Sequence, residues 1–378
     1  MTSLLKNVLV TGGSGYLGQF LVHALAKEYK VHYTYGTHPL WSAPEGAIAH
    51  KVDLVTGEGL REAFQQATFH AVVNCAAMSQ PGACEASPEA ARSVNVPIHL
   101  VDCLLHQEER GGGPAVLVHI STDQVYDGSK AHWKEDDPCT PVNVYGRTKL
   151  EAEQLLLARL PEPYPLLILR SSIIYGPPPP ETVHRTLFLQ FVAAAVQGDK
   201  PTTFFSDEWR NPVYVRDLQR LVLLAVRRCT DTDVGAAGAA AGAAAVDALQ
   251  EEVPGTSHSC AGAAESRSAV QGATGPEAAE QQQPQQDGQQ EGRLLWRHRV
   301  FNAGGPERLS RVDMARQVAD CLGCGYNSIV AVPSSSVSRS AASPPDISMD
   351  VTRLAADLGF RMTPFREALQ EIFRSSDL

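Results

Sequence analysis

The chain has 378 residues, of which 43% are hydrophobic, so it holds enough apolar material for the core of one large domain or of two. No apolar run reaches the roughly 18 residues of a membrane-spanning helix, and an apolar strand begins too near the N-terminus to leave room for a signal peptide, so we expect a cytoplasmic protein. Ten carboxylates and one arginine in residues 231–292 carry −9 of the formal charge of −10, which leaves the rest nearly neutral and excludes a basic field for nucleic acid.

The first 170 residues alternate between apolar runs that suit buried strands and amphipathic patterns that suit helices. This alternation favours an α/β fold, a doubly wound parallel sheet with helices on both faces. The predicted strands cover residues 7–11, 31–35, 71–74, 116–120 and 166–170, and the predicted helices cover 17–28, 58–66, 89–107 and 143–158.

After residue 170 the alternation loosens. Gly176 is followed by four prolines, which neither a helix nor a central strand accommodates, so a stiff surface loop is predicted there. Ser310, with Asp313 three residues later, predicts a helix N-cap. We expect residues 171–230 and 293–378 to form a smaller C-terminal lobe that covers a substrate and returns strands to the sheet, with plain scaffolding as the alternative. The predicted helices here are 186–197, 217–228, 310–322, 350–358 and 363–373, and the extended segments are 202–205, 212–215, 300–302 and 329–332.

Residues 231–292 differ in composition from the rest of the chain. Alanine and glycine dominate to about residue 246, and glutamine, glutamate and proline dominate from about residue 275. Such a segment cannot bury enough apolar surface to offset the entropy lost on ordering. We predict a disordered low-complexity insert, and a partner-binding segment is the alternative.

A glycine-rich loop joins the first predicted strand to the first predicted helix. Residues 11–18 read TGGSGYLG and fit the spacing TGxxGxxG. Gly12 permits a tight turn, Gly15 lets the backbone approach a pyrophosphate, and Gly18 lets the helix pack closely on the strand. The helix N-terminus then presents free N–H groups to the phosphates. The predicted dinucleotide contacts in this loop are Thr11, Gly12, Gly15, Tyr16, Leu17 and Gly18.

The end of the second strand bears on the type of dinucleotide. Residues 35–38 read YGTH and hold neither a carboxylate for the ribose diol of NAD nor an arginine. Because a carboxylate there would repel a 2′-phosphate, its absence favours NADP, while NAD stays open.

Two further segments are candidates for contact with the same cofactor. Asp53 and Leu54 are predicted cofactor contacts. Asp53 is predicted to contact the adenine, and a loop cap is the alternative role of its carboxylate. The third strand ends in small residues, as a dinucleotide lying across the sheet edge requires. The predicted contacts there are Asn74, Ala76 and Ala77.

Tyr145 and Lys149 are a candidate pair for proton transfer. A separation of four residues puts both side chains on one helix face. The ammonium group there favours the phenolate and lowers the pKa of the tyrosine, which can then hand a proton to a carbonyl oxygen as hydride arrives at its carbon. The alternative is an ordinary helix with a boundary tyrosine and a solvated lysine. The glycine loop and Thr122, which precede the pair in the expected order, favour the catalytic interpretation.

Taken together, these motifs resemble the extended short-chain dehydrogenase/reductase family. The chain is similar to the branch of dTDP-4-dehydrorhamnose reductase and of the regulatory β subunit of methionine adenosyltransferase. The resemblance covers nearly the whole chain except residues 231–292, and it implies a Rossmann domain for NAD(P) at residues 1–170. It rests on residues 11–18, 73–77, 84–88, 94–95, 120–128, 135–138, 141–149, 348–354 and 363–366.

The resemblance also implies catalytic roles. Thr122, Tyr145 and Lys149 fall on the triad of the family. Thr122 would hydrogen-bond the substrate oxygen, Tyr145 would protonate it, and Lys149 would hold the nicotinamide ribose. Dehydratases of this family carry Asp-Glu after the threonine, whereas this chain carries Asp123 and Gln124. Because a glutamine amide cannot serve as a general base, dehydration is disfavoured.

Arg210 is the candidate for substrate binding. Many extended members use an arginine near this place for a substrate diphosphate, to which a bidentate guanidinium is suited. The alternative is an ion pair on the surface or beside a helix.

Two functions remain open. The first is an NAD(P)H-dependent reductase of a 4-keto sugar nucleotide or a related carbonyl compound. The second is a regulatory, NADP-binding partner of methionine adenosyltransferase in S-adenosylmethionine biosynthesis, which the resemblance at residues 363–366 and 74–77 favours. That subunit also keeps the tyrosine and lysine spacing, so the triad does not separate the two functions. An epimerase is compatible with the motif but has no specific support. Cys321 and Cys324 have CxxC spacing without a second pair or a histidine cluster, so we predict no metal site.

Overall fold

A computed structural model describes residues 5–183, 186–230, 296 and 299–375, and the insert predicted at 231–292 lies outside the described residues. The strands are β1 (Asn7–Thr11), β2 (Lys30–Tyr35), β3 (Ile48–Lys51), β4 (Ala71–Asn74), β5 (Val116–Thr122), β6 (Leu166–Ser171), β7 (Ile174–Tyr175), β8 (Thr202–Phe205), β9 (Trp209–Arg210), β10 (Val213–Tyr214), β11 (Val300–Ala303), β12 (Leu309–Ser310) and β13 (Ile329–Val332). The α-helices are α1 (Tyr16–Leu25), α2 (Leu60–Gln66), α3 (Pro81–Ala86), α4 (Pro88–Asn95), α5 (Ile98–Gln107), α6 (Val144–Arg159), α7 (Phe188–Gln197), α8 (Val215–Thr230), α9 (Arg311–Leu322), α10 (Thr352–Leu358) and α11 (Phe365–Ser375).

Seven strands form the central sheet, in the order β3-β2-β1-β4-β5-β6-β11. Every neighbouring pair in it is parallel. Strands β4, β5 and β6 are buried along their whole length, as expected of a parallel sheet that helices cover on both faces. The strand order reverses between β1 and β4, and ligands bind at the carboxyl ends of strands beside such a reversal. The predicted doubly wound parallel sheet is confirmed.

Apolar side chains fill both faces of this sheet. Val8 and Val10 of β1 belong to one buried cluster, while Leu9 between them belongs to the other, because successive strand residues point to opposite faces. The first cluster joins α1 to α8, α9 and α11, and Leu221 and Phe365 lie within it. The second cluster packs α2, α5 and α6 on the opposite face. The helices of the C-terminal part are therefore built onto the same core as the glycine-loop helix.

Several elements differ from the sequence-based expectation, among them the short elements α3, β7, β9 and β12, which were not predicted. Strand β3 was not predicted, because it has four residues of mixed polarity and only its pairing with β2 holds it in the sheet. The single helix expected at residues 89–107 is two helices, α4 and α5. Pro97 separates them, since proline lacks the N–H that a helix interior requires.

Three small sheets accompany the central one. Strand β10 pairs with β7, β12 pairs antiparallel with β9, and β13 pairs with β8. The N-cap predicted at Ser310 is confirmed, because Ser310 and Asp313 form a reciprocal capping box at the start of α9. Within the described ranges, no helix has both the length and the apolar character needed to cross a bilayer. No group of three or more His, Cys, Asp or Glu side chains in the same ranges is arranged to hold a metal ion.

Candidate active site

A cavity of about 610 Å³ lies at the carboxyl ends of β1, β4, β5 and β6. Its walls come from the glycine loop, the loop after β2, the end of β5, the start of α6 and the C-terminal part of the chain. The predicted site residues that line it are Gly12, Gly15, Tyr16, Leu17, Gly18, Ala77, Thr122, Tyr145 and Arg210. The predicted site residues outside this lining are Thr11, Asp53, Leu54, Asn74, Ala76 and Lys149.

The glycine loop has the tight geometry that its spacing predicts. Gly12 adopts a left-handed φ of 65°, and a Cβ at this position would lie 2.8 Å from the Cα of Ala76. A Cβ on Gly18 would collide with the carbonyl oxygen of Gly12 and lie 2.8 Å from the Cα of Gly13. Helix α1 begins at Tyr16, immediately beside the cavity, so its first N–H groups face the space that a pyrophosphate needs.

Three residues predicted to contact the cofactor pack against the glycine loop. Thr11 and Asn74 are buried, and the Thr11 hydroxyl donates a 2.5 Å hydrogen bond to Asn74 Oδ1. The backbone of Ala76 packs against Gly12. None of these three residues lines the cavity, and their contacts shape the loop. Their contact with a cofactor stays a prediction.

Asp53 and Leu54 lie away from this cavity. The Asp53 carboxylate accepts a hydrogen bond of 2.8 Å from the Val55 N–H, and the residue is exposed. This is the loop-cap role that was the alternative for Asp53. The loop after β2 does reach the cavity, through Thr37 and His38.

Helix α6 carries Tyr145 at its second position and Lys149 one turn later. Asn143 caps the helix, because its side-chain oxygen accepts a 2.8 Å hydrogen bond from the Gly146 N–H. Lys149 is only 1% exposed. Its Nζ donates to the Ile120 carbonyl at 2.7 Å and lies 3.0 Å from His119 Nε2. The alternative of a solvated lysine is therefore wrong.

The environment of Lys149 changes its acidity. Burial lowers the pKa of Lys149 from 10.5 to about 8, while Glu153 and Cys75 act in the opposite direction. The same burial, with the neighbouring lysine, lowers the pKa of His119 well below its usual value. Lys149 lies just below the cavity wall, whereas Tyr145 forms part of that wall.

The end of β5 presents Thr122 to the cavity together with a buried carboxylate. The Thr122 hydroxyl donates to Asp123 Oδ1 at 3.2 Å and accepts from the Gln124 N–H at 3.2 Å. Ser172 donates a 2.6 Å hydrogen bond to the other oxygen of Asp123. Burial raises the pKa of Asp123, and Arg210 opposes that rise. The side chain of Gln124 is used as an acceptor for Asn143 at 2.7 Å.

Arg210 lines the cavity but is already held by the protein. Its guanidinium donates to the carbonyls of Trp209 at 2.7 Å and Pro344 at 2.8 Å, and it lies 3.8 Å from a carboxylate oxygen of Glu208. With 3% exposure it is not a surface group, so that part of the alternative is wrong.

Arg311 is a site residue that sequence reasoning missed. It is the first residue of α9, it lines the same cavity, and its guanidinium lies 5.3 Å from the centroid of the Phe188 ring. Burial, and then the nearby Arg210, lower the pKa of Arg311 to about 10. Among the described residues, none makes a hydrogen bond or ion pair with this guanidinium. A cation in the first turn of a helix opposes the helix dipole, and this departure was a usable sequence signal.

A model of the RmlD substrate binding domain family matches residues 6–240. The chain belongs to this family. It is 31% identical over 222 residues to methionine adenosyltransferase 2 subunit beta of Danio rerio, and this alignment covers 57% of this chain and 62% of that protein. It is 29% identical over 232 residues to dTDP-4-keto-6-deoxy-D-glucose reductase of Streptomyces niveus, and this alignment covers 58% of this chain and 68% of that protein.

A solved structure shows the same fold as this member of the RmlD family. It is dTDP-4-dehydrorhamnose reductase of Bacillus anthracis in complex with NADP, with a TM-score of 0.66 and 17% identity. The match covers 99% of this chain and 100% of that chain. By sequence, in contrast, the chain aligns with less than two thirds of the length of the Danio rerio protein.

Proposed function

We propose that this protein is an NAD(P)H-dependent reductase that acts on the ketone of a 4-keto sugar nucleotide or a related carbonyl compound. The observation that carries the proposal is the meeting of the glycine loop, Thr122 and Tyr145 in one cavity, with Lys149 buried directly beneath. The reductase of Streptomyces niveus supports this reaction class.

The proposed chemistry assigns a task to each residue. A bound nicotinamide cofactor supplies the hydride. Tyr145 donates the proton to the carbonyl oxygen, and Lys149, when charged, stabilises the phenolate that this transfer leaves behind. The Thr122 hydroxyl rotates away from Asp123 to hydrogen-bond the substrate oxygen, while it continues to accept from the Gln124 N–H. No carboxylate stands at position 124, so elimination of water is not part of the proposal.

The proposed substrate carries a diphosphate. Arg311 offers a guanidinium toward the cavity, and Arg210 lies close enough to affect its pKa. Two neighbouring guanidinium groups repel one another, and an anion between them relieves that repulsion. Phosphate oxygens accept such bidentate hydrogen bonds well.

The proposed cofactor is NADP in preference to NAD. The loop after β2 reaches the cavity with Thr37 and His38 and contributes no carboxylate. NADP is bound in the Bacillus anthracis reductase that shares this fold. Fluorescence titration with NADPH and NADH tests the preference, and tighter binding of NADH would contradict it.

Purified protein should consume NADPH in the presence of at least one nucleotide-linked 4-keto sugar. The Tyr145→Phe variant should bind NADPH normally but turn over about 10² to 10⁴-fold more slowly, because it lacks the proton donor. Tight NADPH binding with no consumption across a broad substrate panel would exclude the reductase proposal.

A second function has a specific observation in its favour. The chain is similar to methionine adenosyltransferase 2 subunit beta proteins, which supports a regulatory, NADP-binding role toward a methionine adenosyltransferase catalytic subunit. Co-expression with such a subunit, followed by affinity purification and rate measurement, tests this role. If the two chains neither co-purify nor change the rate, the regulatory proposal fails.

We also propose a cytoplasmic location. The described residues include seven cysteines, all of them in the thiol form, which suits a reducing compartment. Cell fractionation tests this proposal directly.

A further inference from the structure

Four buried side chains connect the glycine loop to Lys149. The Thr11 hydroxyl lies 2.5 Å from Asn74 Oδ1, Asn74 Nδ2 lies 3.0 Å from His119 Nδ1, and His119 Nε2 lies 3.0 Å from Lys149 Nζ. The exposure of these residues ranges from 0% for His119 to 5% for Asn74. We call this set the Thr11–Lys149 chain.

The sheet itself creates the first three positions of this chain. Thr11 of β1 is the register partner of Asn74 of β4, and Asn74 is the register partner of His119 of β5. Lys149 reaches His119 from α6, which packs above β5. Because residues in direct register have adjacent side chains, the polar contacts follow from the strand order.

One orientation of the Asn74 amide is compatible with only one charge state of Lys149, because each contact needs one donor and one acceptor. With its oxygen toward Thr11, Asn74 accepts from the Thr11 hydroxyl and donates its N–H to His119 Nδ1. A neutral His119 then carries its proton on Nε2, and this Nε2–H points at Lys149 Nζ. Only an uncharged amine can accept that hydrogen bond, so this arrangement requires neutral Lys149.

The opposite orientation of the amide requires the opposite charge. A charged Lys149 has no lone pair, so His119 Nε2 must accept, and the imidazole proton must lie on Nδ1. Asn74 must then turn its oxygen toward His119 and its amide N–H toward the Thr11 hydroxyl. This state holds one proton more than the other, and the solvent supplies it.

We propose that His119 is a positioning residue that couples the charge of Lys149 to the orientation of the Asn74 amide and to the hydroxyl of Thr11 in the glycine loop. The coupling itself does not depend on the proposed function. Its effect on turnover does, because that effect assumes that charged Lys149 assists Tyr145 during reduction.

The surroundings make both states of the Thr11–Lys149 chain accessible. Burial and Lys149 both lower the pKa of His119, so the imidazole stays neutral while the lysine titrates. Burial lowers the pKa of Lys149 to about 8. The other titratable groups that face Lys149 are Cys75 beyond β4 and Glu153 on its own helix, and Glu153 is paired with Arg170 of β6. Tyr145 lies one turn before Lys149 on α6.

The hydrogen bonding of Thr11 in the glycine loop would change with the charge of Lys149. The Thr11 hydroxyl donates to Asn74 when Lys149 is neutral and accepts from Asn74 when Lys149 is charged. The Ala76 N–H also points at Thr11 Oγ1 at 3.4 Å, and Ala76 packs against Gly12. Protonation of Lys149 is thus linked to the backbone that surrounds the proposed pyrophosphate site.

Nitrogen NMR of the full chain tests the coupling without any turnover. In protein labelled with ¹⁵N in the histidine rings, protonated and unprotonated ring nitrogens have well-separated shifts, and His119→Asn identifies the His119 signals among the 12 histidines. We expect His119 to stay neutral from about pH 6.5 to about pH 9.5 and to move its proton from Nδ1 to Nε2 as the pH rises through this range. A single tautomer throughout, or a charged imidazole, would overturn the proposal.

Two substitutions separate the two contacts of His119. In His119→Gln the new amide lies near the position of the imidazole Nε2, so it can still reach Lys149. In His119→Asn the new amide lies near the position of Nδ1, so it reaches only Asn74. His119→Asn should lower the pH midpoint of Lys149 titration, followed by ¹⁵N NMR of the lysine side chains, by about one unit, because charged Lys149 loses an acceptor. His119→Gln should leave the midpoint unchanged or raise it. Equal shifts in the two variants would contradict the coupling.

The exposed His106 provides the control, since His106→Asn should leave the midpoint unchanged. These readouts also distinguish the two proposals made for this protein. If the tautomer changes but no substrate is reduced, the coupling stands and the reductase function fails. If substrates are reduced while the tautomer of His119 stays fixed, the reductase function stands and the coupling fails.

Discussion

The side chain of Gln124 accepts a 2.7 Å hydrogen bond from Asn143 Nδ2, and Asn143 in turn caps the helix that carries Tyr145 and Lys149. Gln124 follows Thr122 by two residues, so this contact fixes the end of β5 against the start of α6. The three residues proposed for catalysis are thereby held in one frame. The side chain at position 124 therefore has a structural task here.

Asn143→Ala should destabilise the protein and disturb this frame. It removes the cap of α6 and the partner of Gln124, and the loss of an N-cap costs about 0.5–2 kcal/mol. Urea denaturation measures the change in the free energy of unfolding. Ser310→Ala removes a cap of α9 and should cost a similar amount, yet only Asn143→Ala should also lower kcat. Equal kcat values in the two variants would show that Gln124 needs no support from Asn143.

The stability of the protein should depend on Lys149 at alkaline pH. Burial lowers the pKa of Lys149 from 10.5 to about 8, so between these values the unfolded chain binds more protons than the folded one. The free energy of unfolding should therefore rise with pH across this window through Lys149. Urea midpoints of wild type and Lys149→Met at about pH 7.5 and about pH 10 test this, because the variant should lack that contribution. The same pH dependence in both proteins would contradict it.

Activity should show the opposite trend with pH. If charged Lys149 assists Tyr145, kcat should fall as the pH rises through about 8, the pKa to which burial lowers Lys149. A pH profile of NADPH consumption measures this. A rate that keeps rising well above that pH would show that a charged lysine is not required.

Arg311→Gln should weaken substrate binding without weakening the fold. Its guanidinium lines the cavity beside Arg210, and a charge-assisted hydrogen bond to a phosphate is worth about 1.5–3 kcal/mol, or about ten- to a hundredfold in affinity. The urea midpoint should stay level or rise, because a desolvated cation is removed. Arg316→Gln, an exposed change on the same helix, is the control for both measurements. Unchanged affinity for nucleotide diphosphates would remove Arg311 from the site.

The buried pair of Arg170 and Glu153 should stabilise the protein only as a pair. Their hydrogen bonds measure 2.7 to 3.1 Å, and their side chains are 6% and 2% exposed. Arg170→Met alone should cost about 3–5 kcal/mol, because it leaves a buried carboxylate without its partner. The double variant Glu153→Leu/Arg170→Met should recover much of that loss in urea denaturation. If the two losses simply add, the pair is not coupled.

Much of the sheet could be predicted because its signals are local. Strand β4 is an apolar run that ends at Asn74 and has the bounds that its sequence indicates, and the glycine loop is recognised from steric needs within eight residues. Strand β3 escaped prediction because its four residues carry too little pattern. The break between α4 and α5 was missed, although Pro97 marks it in the sequence.

The site was less predictable, because its contacts join distant parts of the chain. Arg311 and Arg210 meet because β12 pairs with β9, where Leu309 is the register partner of Arg210. His119 occurs in a buried apolar strand, and nothing in its local sequence distinguishes a polar contact from ordinary packing. Asp53 had two possible roles, and only the position of its loop favoured the cap.

The sequence by itself determined the doubly wound sheet, the glycine loop and the spacing of Tyr145 and Lys149, because periodicity, glycine sterics and helical repeat act over a few residues. The tertiary structure alone decided which polar groups meet. Strand order and register placed Thr11, Asn74 and His119 side by side, and burial lowered the pKa of the lysine at the end of that row. Register and desolvation are properties of the assembled core, so no local pattern records them.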